Sequence, residues 1–154
     1  MRHVLGRVDG EADWRSCHSI RRSVQWDERG QEGHDEAHPD ERLPRHHAFL
    51  LKIDGQAAGT ARLDDLGDRT GIVRLVAVPA HLRGRGHGRV LDAMVERYAH
   101  QLGIEVLLVN AATDAEGFYA ATGWRRFASV PPAALEAVEG CVRMWKETAR
   151  RGLP

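Results

Sequence analysis

The stretch "HLRGRGHGRVL", residues 81–91, indicates what the chain does. It contains three arginines and three glycines: Arg83, Gly84, Arg85, Gly86, Gly88 and Arg89. An amphipathic run follows directly. A helix start leaves its first amides unpartnered and carries partial positive charge, so it accepts a phosphate that no side chain blocks. Glycines remove the blocking β-carbons, and one arginine near a phosphate contributes about 4 kcal/mol at an effective dielectric near 20. The stretch therefore predicts a pyrophosphate site.

The spacing of this stretch excludes two common phosphate loops. A Walker A loop needs Lys and then Ser or Thr after its last glycine, but His87, Gly88 and Arg89 follow Gly86. A dinucleotide fingerprint that starts at Gly84 needs a glycine at position 89, which is Arg89. A glycine-rich surface turn with solvated arginines remains the alternative. The pattern that does match is Arg-x-x-Gly-x-Gly, from Arg83 to Gly88.

The flanking residues predict a strand, a helix and a second strand. "GIVRLVAV" (71–78) and "IEVLLVN" (104–110) are nearly continuous branched runs, which are typical of buried parallel strands. Between them, apolar residues at helical spacing form one face of a predicted helix: Val90, Leu91, Met94, Val95, Tyr98 and Leu102. Gly103 follows as the predicted C-terminal cap. Such a unit predicts parallel strands joined by a right-handed crossover.

The other predicted elements lie on both sides of this unit. We expect a strand in "MRHVLGRV", a helix capped by Asp13, and two strands joined by a tight turn at Asp54-Gly55. A short helix over 115–121 and a strand in "CVRMWKE" close the chain. Residues 27–47 are polar and predict a long exposed loop. Its "HDEAH" segment departs from the zinc motifs at Asp35 and Ala37, so we expect no metal.

Length and charge limit the function classes. The chain has 154 residues and 17.2 kDa, which fits a single domain over residues 1–154. The chain has 22 Lys and Arg residues together and 22 Asp and Glu residues together, so its formal net charge is zero. No overall electrostatic field therefore favours binding to nucleic acid or membrane. Only two of the 22 cationic residues are lysines, a bias typical of a GC-rich bacterial genome. No apolar run approaches the roughly 20 residues of a membrane span, and we expect a cytoplasmic protein.

Two motifs carry a resemblance to a known family. With "VRLVAVPAHL" before it, the Arg83-to-Gly88 pattern resembles the GNAT family, the acyl-CoA-dependent N-acetyltransferases. "NAATDAEGFYAATGW" (110–124) resembles that family's later motif, and together the likeness covers residues 48–127. It implies an α/β (α+β) acyl-CoA N-acyltransferase fold: a mixed, mostly antiparallel twisted sheet with one parallel pair, flanked by helices.

The N-terminal part resembles one branch of small bacterial members. In that branch the stretch contains Arg-x-x-Val-Phe and then Glu-Gln. Here Arg21 and Val24 match, Gln25 stands in place of the phenylalanine, and Glu28 is followed by Arg29 in place of the glutamine. The resemblance makes Glu28 a candidate substrate residue and general base.

The resemblance also implies the roles of the candidate site residues. Residues 83–89, including His87, would wrap the pyrophosphate of coenzyme A, and Asn110, at the end of the fifth strand, would also bind the cofactor. The backbone of Val76, Ala77 and Val78 would face the pantetheine, and an amide at or near Val76 would polarise the acyl carbonyl. Tyr119 matches the family's proton donor to the departing thiolate.

The expected reaction follows from these roles. It is direct transfer of acetyl from acetyl-CoA, as cosubstrate, to the primary amine of a small molecule, without a metal and by a monomer or homodimer. Acetylation of a protein N-terminus or lysine, or a non-catalytic CoA-sensing module, remain alternatives. Several further groups could act as base: Asp40, Glu41, His46, His47, Asp64 and Asp65. Arg62 or Arg74 could recognise a substrate carboxylate or form a surface ion pair.

Overall fold

The structure is a computed structural model that describes residues 1–28 and 43–148, and only the backbone of residues 26–28. Most of the predicted loop at 27–47, with the histidines of "HDEAH" and the candidate bases Asp40 and Glu41, lies outside the described residues.

The described residues form one seven-stranded sheet with three α-helices. The strands are β1 (His3–Arg7), β2 (His46–Ile53), β3 (Gln56–Asp65), β4 (Thr70–Ala77), β5 (Val106–Ala112), β6 (Arg125–Arg126) and β7 (Cys141–Glu147). The helices are α1 (Gly10–Arg21), which continues as a π-helical segment (Arg22–Glu28), α2 (His87–Gln101) and α3 (Glu116–Ala121). The strand order is β1-β2-β3-β4-β5-β7-β6. Only β4 and β5 pair in parallel, which confirms the predicted mixed sheet.

The turn between β2 and β3 has the conformation that the sequence predicts. Asp54 has φ 49° and Gly55 has φ 85°, so both central residues are left-handed. Two such residues match the right-handed twist of the flanking strands, and they join β2 to β3 without a longer loop. The hairpin fixes the register between β2 and β3, with His46 opposite Asp64 at its far end.

The central unit of β4, α2 and β5 is also present, and its two strands separate along their length. Parallel pairing ends at Val73 and Val109. Against β3, the register shifts between Thr60 and Arg62, so that β4 carries an extra residue in a bulge. Leu75 lies within it at φ 55°, and its carbonyl accepts a 3.4 Å hydrogen bond from the Thr60 hydroxyl. The bulge and the end of pairing open the sheet at one point.

Helix α2 covers the sheet through most of the predicted apolar face, except at its C-terminal end. Leu91, Val95 and Ala99, spaced four apart, are buried against the sheet, whereas Leu102 is 41% exposed. The prediction for Leu102 was wrong because the helix ends at Gln101 and Gly103, at φ 86°, turns the chain away. Gly103 itself is the terminating residue that the sequence predicts.

Helix α1 begins earlier than its sequence suggests. Asp13 was predicted as the N-cap, but the helix starts at Gly10 after Asp9. The Asp13 carboxylate instead accepts a 3.1 Å hydrogen bond from the backbone amide of Asp9, so it satisfies that amide from inside the first turn.

Among the described residues, no helix combines the length and apolar character needed to cross a membrane.

Candidate active site

A cleft of about 880 Å³ opens where β4 and β5 separate. Its walls come from the end of β4, the loop into α2, the end of β5 and the start of α3. The cleft brings together most residues predicted for the site: Val76, Ala77, Val78, Arg83, Gly84, Gly86, His87, Gly88, Arg89, Asn110 and Tyr119. Arg85 is not among the residues that line it. The side chain of Glu28 lies outside the described part of the chain.

The start of α2 presents open backbone amides to this cleft. Gly84 and Gly86 have φ angles of 75° and 84°, a region that favours glycine. Gly86 occupies the N-cap position, and no side chain caps the helix. The amide of Val90 bonds to the carbonyl of Gly86 at 3.1 Å, so the amides of residues 87–89 have no acceptor within the helix. Three adjacent amides and the helix dipole therefore favour an anion here.

Gly88 has a packing role that the sequence did not indicate. A β-carbon at this position would lie 3.3 Å from Cε1 of Phe118, tighter than an ordinary contact. The missing side chain thus lets α2 approach α3, and Phe118 also lines the cleft. No atom lies within 4 Å of a β-carbon built on Gly84 or Gly86. The glycines at 84 and 86 leave the loop open, whereas Gly88 makes room for an aromatic ring.

The basic side chains of the loop have different environments. Nε of Arg83 donates a 2.9 Å hydrogen bond to the carbonyl of Val78, which ties the loop to the end of β4. Arg89 lines the cleft from the first turn of α2. His87 is only 3% exposed, and its Nδ1 lies 3.0 Å from Nε2 of His3. The His87 side chain therefore joins α2 to β1, and its imidazole is not a solvated ring.

Tyr119 lies in the cleft wall with its ring fixed by other aromatics. It is 7% exposed, and it meets the rings of Phe118 and Trp124 edge-on, with centroids 5.2 and 5.7 Å apart. Trp124 is held in turn by a 2.9 Å hydrogen bond from its indole to Asp92. Both Phe118 and Tyr119 line the cleft. The tyrosine is part of the core and of the cleft at once.

Asn110 offers the cleft an unused acceptor. Its Nδ2 donates a 3.0 Å hydrogen bond to the carbonyl of Glu136, which fixes the amide. Its Oδ1 is buried and has no partner among the described residues. A buried acceptor without a donor costs about 1–3 kcal/mol, and an N–H group of a ligand would remove that cost.

The predicted bases that the structure describes are occupied or lie away from the cleft. Asp64 accepts hydrogen bonds from Arg62 and Arg74. Burial, and then the charge of Arg7, lower the pKa of His47 below its ordinary value, and its ring packs on Tyr98. Of His46, His47, Asp64 and Asp65, none lines the cleft.

Three cleft residues with polar side chains were not predicted for the site: Gln25, Asp114 and Cys141. Asp114 comes four residues after Asn110 within the second motif, so that motif could have indicated it. Gln25 reaches the cleft from the π-helical segment, at the position where the branch motif has phenylalanine. Cys141 reaches it from the start of β7, and its position has no sequence signature. Among the described residues, no group of three His, Cys, Asp or Glu side chains is arranged to hold a metal ion.

Comparisons with known proteins agree with this geometry. The family model described as "Acetyltransferase (GNAT) family" matches residues 12–124. The fold is similar to a GNAT-family acetyltransferase from Staphylococcus aureus, at TM-score 0.78 and 14% identity over 96% of this chain and 100% of that one.

Two further structures are similar to this chain. One is the ribosomal-protein-S18-alanine N-acetyltransferase from Escherichia coli, at TM-score 0.74 and 15% identity over 99% and 97% of the two chains. The other is PaiA N-acetyltransferase from Thermoplasma acidophilum in complex with coenzyme A, at TM-score 0.69 and 12% identity over 96% and 99%. The sheet opens beside an uncapped helix, and the family model matches most of the chain. This protein therefore belongs to the GNAT acetyltransferase family, as an acyl-CoA-dependent N-acyltransferase.

Proposed function

We propose that the chain transfers an acetyl group from acetyl-CoA to the primary amine of a small molecule, by direct attack of the amine on the thioester. One observation carries this proposal: the uncapped, glycine-rich start of α2 opens into the cleft at the point where β4 and β5 separate. A pyrophosphate at the helix and a thioester at the opened strand can then be parts of one extended ligand. Coenzyme A has both parts, and the structurally similar PaiA protein is in complex with it.

The cofactor assignments follow the cleft from one end to the other. The amides of His87, Gly88 and Arg89, with the charges of Arg83 and Arg89, bind the pyrophosphate. Arg85 lies outside the cleft lining and adds to the field around the loop at longer range. The backbone of Val76, Ala77 and Val78 pairs with the pantetheine, whose amide N–H groups donate to free acceptors such as Oδ1 of Asn110.

The reacting groups meet at the β4 bulge. The extra residue frees backbone amides near Leu75 and Val76 from the ladder with β3, and one of them polarises the acyl carbonyl. Attack by the amine forms the new C–N bond, and the C–S bond breaks. Tyr119 gives its hydroxyl proton to the departing thiolate as a general acid.

The proton on the incoming ammonium group must leave before attack. Glu28 is our candidate base, since it follows Gln25, a cleft residue, on the same π-helical segment. The sequence predictions of a cytoplasmic location and of a monomer or homodimer belong to the same proposal.

Acetylation of a protein N-terminus is the alternative that a comparison favours. The similar Escherichia coli enzyme is named for an alanine of a ribosomal protein. A peptide library and an amine panel, each incubated with acetyl-CoA and read by mass spectrometry, separate the two functions. Acetylated small amines without acetylated peptides are the expected result, whereas peptide products would favour the alternative. A CoA-sensing module would yield neither product.

The substitution Tyr119→Phe tests the chemistry. It removes one hydroxyl and keeps the ring that packs on Phe118 and Trp124, so we expect the affinity for coenzyme A to stay within about twofold. Loss of a general acid lowers turnover by about 10²-fold or more. The measurement is thiol release from acetyl-CoA, with calorimetry of coenzyme A binding.

Tyr98→Phe is the matched control, since Tyr98 is the chain's other tyrosine and packs on Phe49 outside the cleft lining. It should keep wild-type turnover. Equal turnover of the Tyr119→Phe variant and wild type would remove Tyr119 from the mechanism.

A further inference from the structure

Three charged residues converge on one face of the sheet, beside the cleft. Arg62 and Asp64 are two positions apart on β3, and Arg74 lies opposite Arg62 on β4, so all three side chains share a face. Asp64 accepts hydrogen bonds from Nε and Nη2 of Arg62 at 2.7 and 3.0 Å, and from Nε of Arg74 at 2.9 Å. One carboxylate therefore positions two guanidinium groups.

This cluster is buried to different depths. Arg62 is 8% exposed and Asp64 is 5% exposed, whereas the side chain of Arg74 keeps 37% of its surface accessible. A buried ion pair is a weak source of stability, because desolvation offsets most of the attraction between its charges. The cluster is thus better explained by the orientation that it gives to the Arg74 guanidinium than by a contribution to the stability of the fold.

Arg74 is the member that can still bind something. Its Nε donates a hydrogen bond to Asp64, whereas its Nη1 and Nη2 donate to no acceptor among the described residues. Arg74 lines the cleft, directly after Val73, the last β4 residue that pairs with β5. With one edge fixed by Asp64, its other donors are held in an orientation that suits a planar anion.

The position of Arg74 assigns this anion to the acceptor and not to coenzyme A. Along the chain, the phosphate loop at 83–89 comes after the β4 bulge, and Arg74 comes before it. Arg74 and Val76 are two residues apart, about 6–7 Å along a strand. A group bound by Arg74 thus lies on the opposite side of the reacting carbonyl from the pyrophosphate.

We infer that the acceptor is an amine that also carries a carboxylate, which Arg74 binds while Asp64 orients its guanidinium. This inference rests on the function proposed above and adds the substrate class. Asp64 places a negative charge on the other edge of the same guanidinium, which favours a singly charged carboxylate over a dianionic phosphate.

Matched pairs of acceptors test the inference. Common α-amino acids, β-alanine and γ-aminobutyrate are each compared with their carboxamides, which keep the amine and lose the negative charge. Thiol release from acetyl-CoA gives kcat/KM for each acceptor. A charge-assisted contact predicts that wild type favours the acid of a productive pair by about 10- to 100-fold.

The substitution Arg74→Gln assigns that preference to Arg74. It should lower kcat/KM for the acid to about the level of the carboxamide, while calorimetry shows coenzyme A binding as in wild type. Arg74→Lys keeps the positive charge but loses the paired donors of the guanidinium, so it should give an intermediate preference for the acid. If the Arg74→Gln variant does not fold, Arg74→Lys takes its place in the test. Arg97→Gln, on the exposed side of α2, is the matched control and should keep the wild-type preference.

The outcomes separate the two proposals. If wild type uses acids and carboxamides alike, uses no amino acid, or keeps its preference in Arg74→Gln, the carboxylate inference is overturned and acetyl transfer stands. If wild type neither binds acetyl-CoA nor releases thiol with any amine, the proposed function is overturned, and the inference with it.

Discussion

At the residue scale, Gly86 needs a backbone conformation that favours glycine. It is the N-cap of α2, with φ 84°, and the amides that follow it are open because its conformation begins the helix without a capping side chain. The sequence indicated a glycine-rich loop, but the pattern did not distinguish Gly86, which needs its φ, from Gly88, which makes room for Phe118.

The substitution Gly86→Ala should lower the free energy of unfolding by about 1–2 kcal/mol, the cost of a left-handed conformation for a residue with a β-carbon. Gly117→Ala is the control, since it lies in α3 with open space around it and no positive φ. That change should raise stability by about 0.5–1 kcal/mol, as Ala for Gly in a helix does. Urea unfolding measures both. Equal stabilities of the two variants would contradict the conformation of Gly86.

At the scale of the element, helix α2 supplies open amides and a cationic side chain to the proposed anion site. Arg89 stands in the first turn and lines the cleft, and Arg97 is exposed about two turns later. Arg89→Glu should weaken coenzyme A binding by about 10-fold, because an exposed ion pair is worth up to about 1 kcal/mol and charge reversal replaces attraction with repulsion.

Arg97→Glu makes the same change of charge on the same helix and should leave the affinity nearly unchanged. Calorimetry at low and high salt checks both variants, and the difference between them should shrink at high salt. Similar losses in the two variants would mean that net charge, and not the start of α2, sets the affinity.

The elements also show what the sequence could and could not predict. The parallel strands, α2 and the Asp54-Gly55 hairpin were predictable, because continuous branched runs, helical spacing and turn residues are local signals. The β4 bulge was not, since Leu75 is an unusual residue for a positive φ and gives no sequence signal. The contact of Arg74 with Asp64 depends on the register between β3 and β4, which no local pattern specifies.

At the scale of the whole molecule, the fold and the site share one cause. The sheet loses its pairing between β4 and β5 after Val73 and Val109, and the cleft forms there. Helix α2, which connects those two strands, begins at the same edge, so its open amides face the gap in the sheet. The family match covers residues 12–124 and therefore contains β4, α2 and β5.

The most direct test of this account is a crystal structure of the protein with coenzyme A. We expect pyrophosphate oxygens about 3 Å from the amides of residues 87–89, and pantetheine between the separated ends of β4 and β5. Coenzyme A bound at another surface, with the amides of residues 87–89 not in contact with it, would show that the start of α2 is not the pyrophosphate site.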